Sequence, residues 1–68
     1  MKAIKILLNG KPHQTSAETI SALAEQLSPA PQTLLIEHNQ IALHRSEWGK
    51  AALQAGDRVE VLQVSAGG

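Results

Sequence analysis

The chain contains no cysteine. That excludes a disulfide-stapled secreted fold, a thiolate nucleophile and a cysteine-based metal site. Trp48 is the one residue among the Phe, Trp and Tyr types. Six basic residues balance six acidic ones, and neither sign forms a run. A nucleic-acid footprint needs a basic patch, preferably interleaved with aromatics, so a nucleic-acid partner is not expected. Nothing in the chain approaches the 20-residue apolar span of a membrane helix. Met1-Lys2 leads straight into a strand pattern without a signal-peptide core, so a soluble cytoplasmic protein is expected. With 68 residues there is room for one small domain and little room for a deep catalytic pocket.

What is present reads as alternating strands around one helix. Ile4, Ile6 and Leu8 share one face of a strand over Ala3 to Leu8, and Lys5 and Leu7 share the other. Asn9-Gly10 is the strongest hairpin signal, because both central residues of a type I′ turn need positive φ. Lys11 to Thr15 returns. Pro12 cannot donate to a ladder, which puts that strand at an edge or starts it after Pro12. Ser16 or Thr19 caps a helix over about Thr19 to Ser28, with Ile20, Leu23, Ala24 and Leu27 on its buried stripe. Pro29 and Pro31 end it and make an extended connection.

Thr33 to Glu37 is a short apolar strand, His38-Asn39 a tight turn, and Gln40 to His44 a second strand. Ser46-Glu47-Trp48 opens a helical or turn segment that ends near Leu53. Gln54-Ala55-Gly56-Asp57 is turn chemistry, and Arg58 to Val64 is the last strand. One helix across four or five strands is an α+β layer architecture. The helix supplies the crossover that lets the first and last strands lie parallel in the centre, which is the ubiquitin-like β-grasp arrangement. A domain over 1–64 and a flexible tail over 65–68 are expected.

The tail is the chemically suggestive part. Ser65-Ala66-Gly67-Gly68 follows the last strand directly, and glycine is about 7% of average usage, so a double-glycine end arises by chance about once in two hundred chains. A terminal carboxylate is an anion at neutral pH and a poor acyl donor until it is converted to an anhydride. An activating enzyme must thread such a tail into its own nucleotide site. Glycine suits that passage, having no Cβ and wide backbone freedom. On the last strand, Val59 and Val61 are expected to face the helix, leaving Glu60, Leu62 and Val64 facing away. Leu7 faces away on the neighbouring strand. Leu7, Leu62 and Val64 are therefore candidate docking residues beside the tail.

Other residues support no separate chemistry. His13, His38 and His44 lack metal-ligand spacing. Asp57 and the glutamates read as turn, cap or surface groups. Trp48 is expected to lid one end of the core, with a partner contact as the other reading. Arg45 has either an acidic partner or a local carboxylate to pair with.

The order of elements, Asn9-Gly10, Thr19-Ile20, Arg45-Ser46-Glu47-Trp48, Gly56-Asp57 before the last strand and the Gly67-Gly68 end together resemble the ThiS family, the sulfur carriers of thiamine biosynthesis. Leu43-His44-Arg45 departs from the Val-Pro-Arg common there. The resemblance implies that an adenylyltransferase of the ThiF type uses ATP and Mg²⁺ to adenylate Gly68. A cysteine desulfurase or rhodanese-type donor then supplies sulfur, leaving a thiocarboxylate, and Gly67 gives slim access. A thiazole synthase of the ThiG type takes the sulfur. No cofactor is bound permanently, and the protein is a cosubstrate rather than a catalyst. The alternatives are the small subunit of molybdopterin synthase, a ubiquitin-like modifier or tRNA-thiolating carrier, and a non-covalent β-grasp interaction module.

Overall fold

A computed structural model describes residues 2–64; Gly67 and Gly68 lie outside the described residues. Five strands form one mixed sheet: β1 (Ile4–Leu8), β2 (Lys11–Thr15), β3 (Leu34–His38), β4 (Ile41–Leu43) and β5 (Arg58–Gln63), in the spatial order β2-β1-β5-β3-β4. The helix α1 (Ile20–Leu27) joins the two halves. Only β1 and β5 pair in parallel, and both are central. This is the β-grasp arrangement expected from the order of elements.

The hairpin forms where the paired positive-φ residues allow it. Asn9 has φ 50° and Gly10 φ 82°, the left-handed pair that a type I′ turn requires. β2 has a neighbour on one side only, so Pro12 sits opposite Leu7 at a sheet edge. Thr19, not Ser16, caps the helix: its Oγ1 accepts from the Ala22 N–H at 3.1 Å. Thr15 binds the approach to the helix. It is buried, accepts from the Ala17 N–H at 3.0 Å and donates to Gln26 Oε1 at 2.6 Å.

Ile6, Ile20, Leu23 and Val59 are fully buried, with Ala24, Leu34, Ile36, Trp48 and Leu53 closing the core around them. The core thus lies between α1 and one face of the sheet. The segment after Trp48 seals its end by pairing with the start of the helix. Ile20 N–H donates to the Ala51 carbonyl, and Leu53 N–H donates to the Glu18 carbonyl.

Three local expectations change. The connection after α1 is not fully extended: Pro31–Thr33 is a 3₁₀ turn. Proline fits its first turn, where no intrahelical N–H is needed. The tight turn between β3 and β4 is Asn39-Gln40, with φ 51° and 71°, and His38 belongs to β3. The turn shifts because Asn39 tolerates left-handed backbone, while the His38 ring is held at Asp57. The segment expected to run to near Leu53 is a 3₁₀ helix over Arg45–Lys50. Beyond it the chain is drawn into the bridge between Ala52 and Thr19.

Candidate functional site: the open sheet face and the strand leading to the tail

The face of the sheet away from α1 has no covering layer among the described residues. Alternation along β5 puts Val59 in the core and Glu60 and Leu62 on this open face. The register sets Leu62 opposite Leu35, Glu60 opposite Glu37, and Leu7 opposite Arg58. Leu35 and Leu62 are 59% and 64% exposed, unusual for leucines in a sheet. Val64 continues the ladder past β5, its N–H donating to the Thr33 carbonyl at 2.8 Å, and its side chain is exposed.

Of the expected docking residues, Leu62 and Val64 therefore lie together, beside Leu35. Leu7 does not join them. It faces Arg58, four positions before Leu62 on β5, which at a strand rise of about 3.3 Å per residue is roughly 13 Å away. Leu35 was not anticipated. Its signal was the apolar run Leu34-Leu35-Ile36, in which the middle residue must take the face opposite its neighbours. The sheet folds this region into a groove of about 590 Å³, lined by Leu35, Glu37, Ala42, Arg58, Glu60 and Leu62 among others.

Two asparagines hold β5 in register from its flanks. Asn9 Oδ1 accepts from the Val61 N–H at 2.7 Å, and its Nδ2 donates to the Val61 carbonyl at 3.2 Å. The side-chain amide thereby continues the β1 ladder beyond the point where the main chain turns away. On the other side Asn39 Oδ1 accepts from the Arg58 N–H at 2.9 Å. Asp57 completes this end. Its carboxylate accepts from the Gln54 N–H at 2.9 Å and from Asn39 Nδ2 at 3.3 Å, and lies 2.7 Å from His38 Nε2. Burial alone would raise the Asp57 pKa. The hydrogen bonds from His38, Gln54 and Asn39, with the His38 charge, outweigh it and hold the carboxyl below its ordinary value. The direction of the strand that carries the tail is thus fixed by side chains at its base.

The remaining candidates have structural posts. Trp48 is buried beneath the segment it begins, as a lid on the core, and its Nε1 has no hydrogen-bond partner. Arg45 donates to the Gln32 carbonyl at 2.8 Å, so it meets a backbone oxygen rather than a carboxylate. Glu47 Oε1 accepts from the His44 N–H at 2.9 Å and closes the 3₁₀ helix. Among the described residues no group of three metal-ligating side chains converges, and no helix is long and apolar enough to cross a membrane.

Comparison with known proteins agrees with this geometry. The model of the ThiS family matches residues 6–68. The sulfur carrier protein ThiS of Escherichia coli is 33% identical over 66 residues, covering 96% of this chain and 100% of that protein. A thiazole synthase of Magnetococcus marinus is 36% identical over 66 residues, again 96% of this chain but 20% of that much longer protein. A crystal structure of the thiamine biosynthesis protein ThiS from Geobacter metallireducens superposes with a TM-score of 0.77 at 28% identity, covering 96% of this chain and all of that one.

Proposed function

Because the chain belongs to the ThiS family, we propose that it is the sulfur carrier of a thiamine pathway, with the carboxylate of Gly68 as its reactive group. The observation that carries this reading is the family match running through residue 68, Gly67 and Gly68 included. The chemistry asked of the tail is simple to write. The Gly68 carboxylate attacks the α-phosphorus of ATP and displaces pyrophosphate, in an active site that a ThiF-type adenylyltransferase supplies with its Mg²⁺. A persulfide sulfur from a cysteine desulfurase or rhodanese-type donor then attacks the acyl carbon and displaces AMP. A second thiol cleaves the resulting S–S bond, is itself oxidised to a disulfide, and leaves the thiocarboxylate on Gly68.

This chain's part is presentation. A packed domain with β5 locked by Asn9, Asn39 and Asp57 holds a slim end out toward another protein's site. The protein is consumed and regenerated as a cosubstrate, and it works in the cytoplasm with its partners. Leu62 and Val64, with Leu35, give those partners an apolar seat next to the tail, and Leu7 contributes at its far end. The similarity to part of a thiazole synthase supports thiazole synthase as the acceptor of the sulfur.

The test is sulfur delivery. Thiocarboxylated protein is offered separately to thiazole synthase with its small-molecule substrates and to the large subunit of molybdopterin synthase with its own. Thiazole formation with no molybdopterin formation is expected. The reverse result would assign the chain to the other pathway.

A further inference from the structure

The open groove is not uniformly apolar. Glu37 and Glu60 face each other directly across β3 and β5, and both are exposed. Like charges at directly opposed positions repel, so this pair works against the sheet that carries it. Among the described residues the only ion pair is His38 with Asp57. Arg58 lines the same groove two positions before Glu60 but pairs with neither carboxylate. One register step toward the tail lies the exposed pair Leu35 and Leu62. The groove therefore presents an apolar seat and, about 7 Å farther from the tail, an uncompensated anionic seat.

We propose that this groove is the recognition site for a partner protein that inserts an apolar side chain between Leu35 and Leu62 and an arginine between Glu37 and Glu60. The inference rests on the carrier reading above and takes thiazole synthase as the occupant. Both seats lie on the strands from which the tail leaves, so a protein seated there has the tail within its reach. Arginine suits the anionic seat because its planar fork meets two carboxylates at once and is more weakly hydrated than an ammonium group. The cross-strand repulsion is relieved when the cation arrives. Occupancy thus removes a strain that the free carrier holds.

The experiment measures binding of the full chain to the thiazole synthase of the same genome by calorimetry, at low and high salt. Glu37→Gln and Glu60→Gln are each expected to weaken binding about tenfold at low salt, with the loss shrinking as salt screens the pair. Glu60→Lys should weaken it further. In the absence of partner, Glu60→Gln should melt at or above the wild-type temperature, which separates lost recognition from lost folding.

Unchanged affinity in the Glu37→Gln/Glu60→Gln double variant would overturn the proposal. So would self-association of the wild type that Glu60→Lys abolishes, since that places a second copy in the groove. A wild-type chain that accepts sulfur at Gly68 but does not bind thiazole synthase overturns this inference and leaves the carrier reading standing. A chain that binds thiazole synthase through both glutamates but never accepts sulfur supports the groove and overturns the carrier reading instead.

Discussion

Replacing Asp57 by alanine should destabilise the domain in a way that depends on pH. The carboxylate accepts from the Gln54 N–H, from Asn39 and from His38, and its side chain is only 14% exposed. Hydrogen bonds to a charged group contribute about 1.5–3 kcal/mol each, and neighbours in one network do not add, so a net loss of roughly 2–3 kcal/mol is expected at pH 7. For a chain this short, total stability is about 3–10 kcal/mol and each kcal/mol moves the midpoint by about 4–8 °C. The variant should therefore melt some 10–20 °C below wild type.

The sign of the pH effect follows from the lowered Asp57 pKa. Folding favours the ionised form, so the contribution is complete above the unfolded value of about 3.9 and is lost as pH falls through the lower folded value. Urea unfolding followed by circular dichroism, at pH 7 and at steps below pH 4, reads this directly. The gap between wild type and Asp57→Ala should narrow as pH falls. A gap below about 0.5 kcal/mol at pH 7, the level of an ordinary surface change, would refute the reasoning. So would a large gap that stays constant to the lowest pH at which both chains fold.

Three further outcomes follow from the same structure. Asn9→Gly keeps the positive φ but removes both side-chain bonds to Val61, and should cost about 1 kcal/mol; Asn9→Ala should cost about 1–2 kcal/mol more for the left-handed backbone, measured by urea unfolding. Trp48→Phe should cost no more than about 1.5 kcal/mol, because the buried indole N–H it removes has no partner, whereas Trp48→Ala should cost about 3–5 kcal/mol by circular dichroism melts. Leu62→Glu should leave the melting temperature within a few degrees of wild type, since Leu62 is 64% exposed, while weakening thiazole synthase binding at least tenfold; unfolding instead would mean that the strand faces are reversed.

The elements that could be read in the sequence are those whose signal is local. The alternation of Ile4, Ile6 and Leu8, the Asn9-Gly10 turn and the stripe Ile20, Leu23, Ala24, Leu27 each carry their own period or φ requirement. All of them stand in the structure. What escaped depends on contacts far apart in the chain. The double bond between Asn9 and Val61 spans 52 positions, and a turn-forming asparagine gives no sign of it. The shift of the β3–β4 turn to Asn39-Gln40 follows the His38–Asp57 contact, 19 positions apart. Strand alternation correctly put Leu7, Glu60 and Leu62 on one face. Only the register could show that Leu7 lies beside Arg58 and that Leu62 lies beside Leu35. The opposition of Glu37 and Glu60 was hidden for the same reason.

The central claim is that sulfur is carried at the terminus. The most direct test is the intact mass of the chain after incubation with a ThiF-type adenylyltransferase, ATP, Mg²⁺ and a persulfide donor, beside a chain lacking Gly68. The account predicts the gain of one sulfur in place of one oxygen on the full chain and no change on the shortened one. An unchanged full chain, with the same enzyme loading a known carrier in parallel, would contradict it, as would equal sulfur uptake by the chain without Gly68.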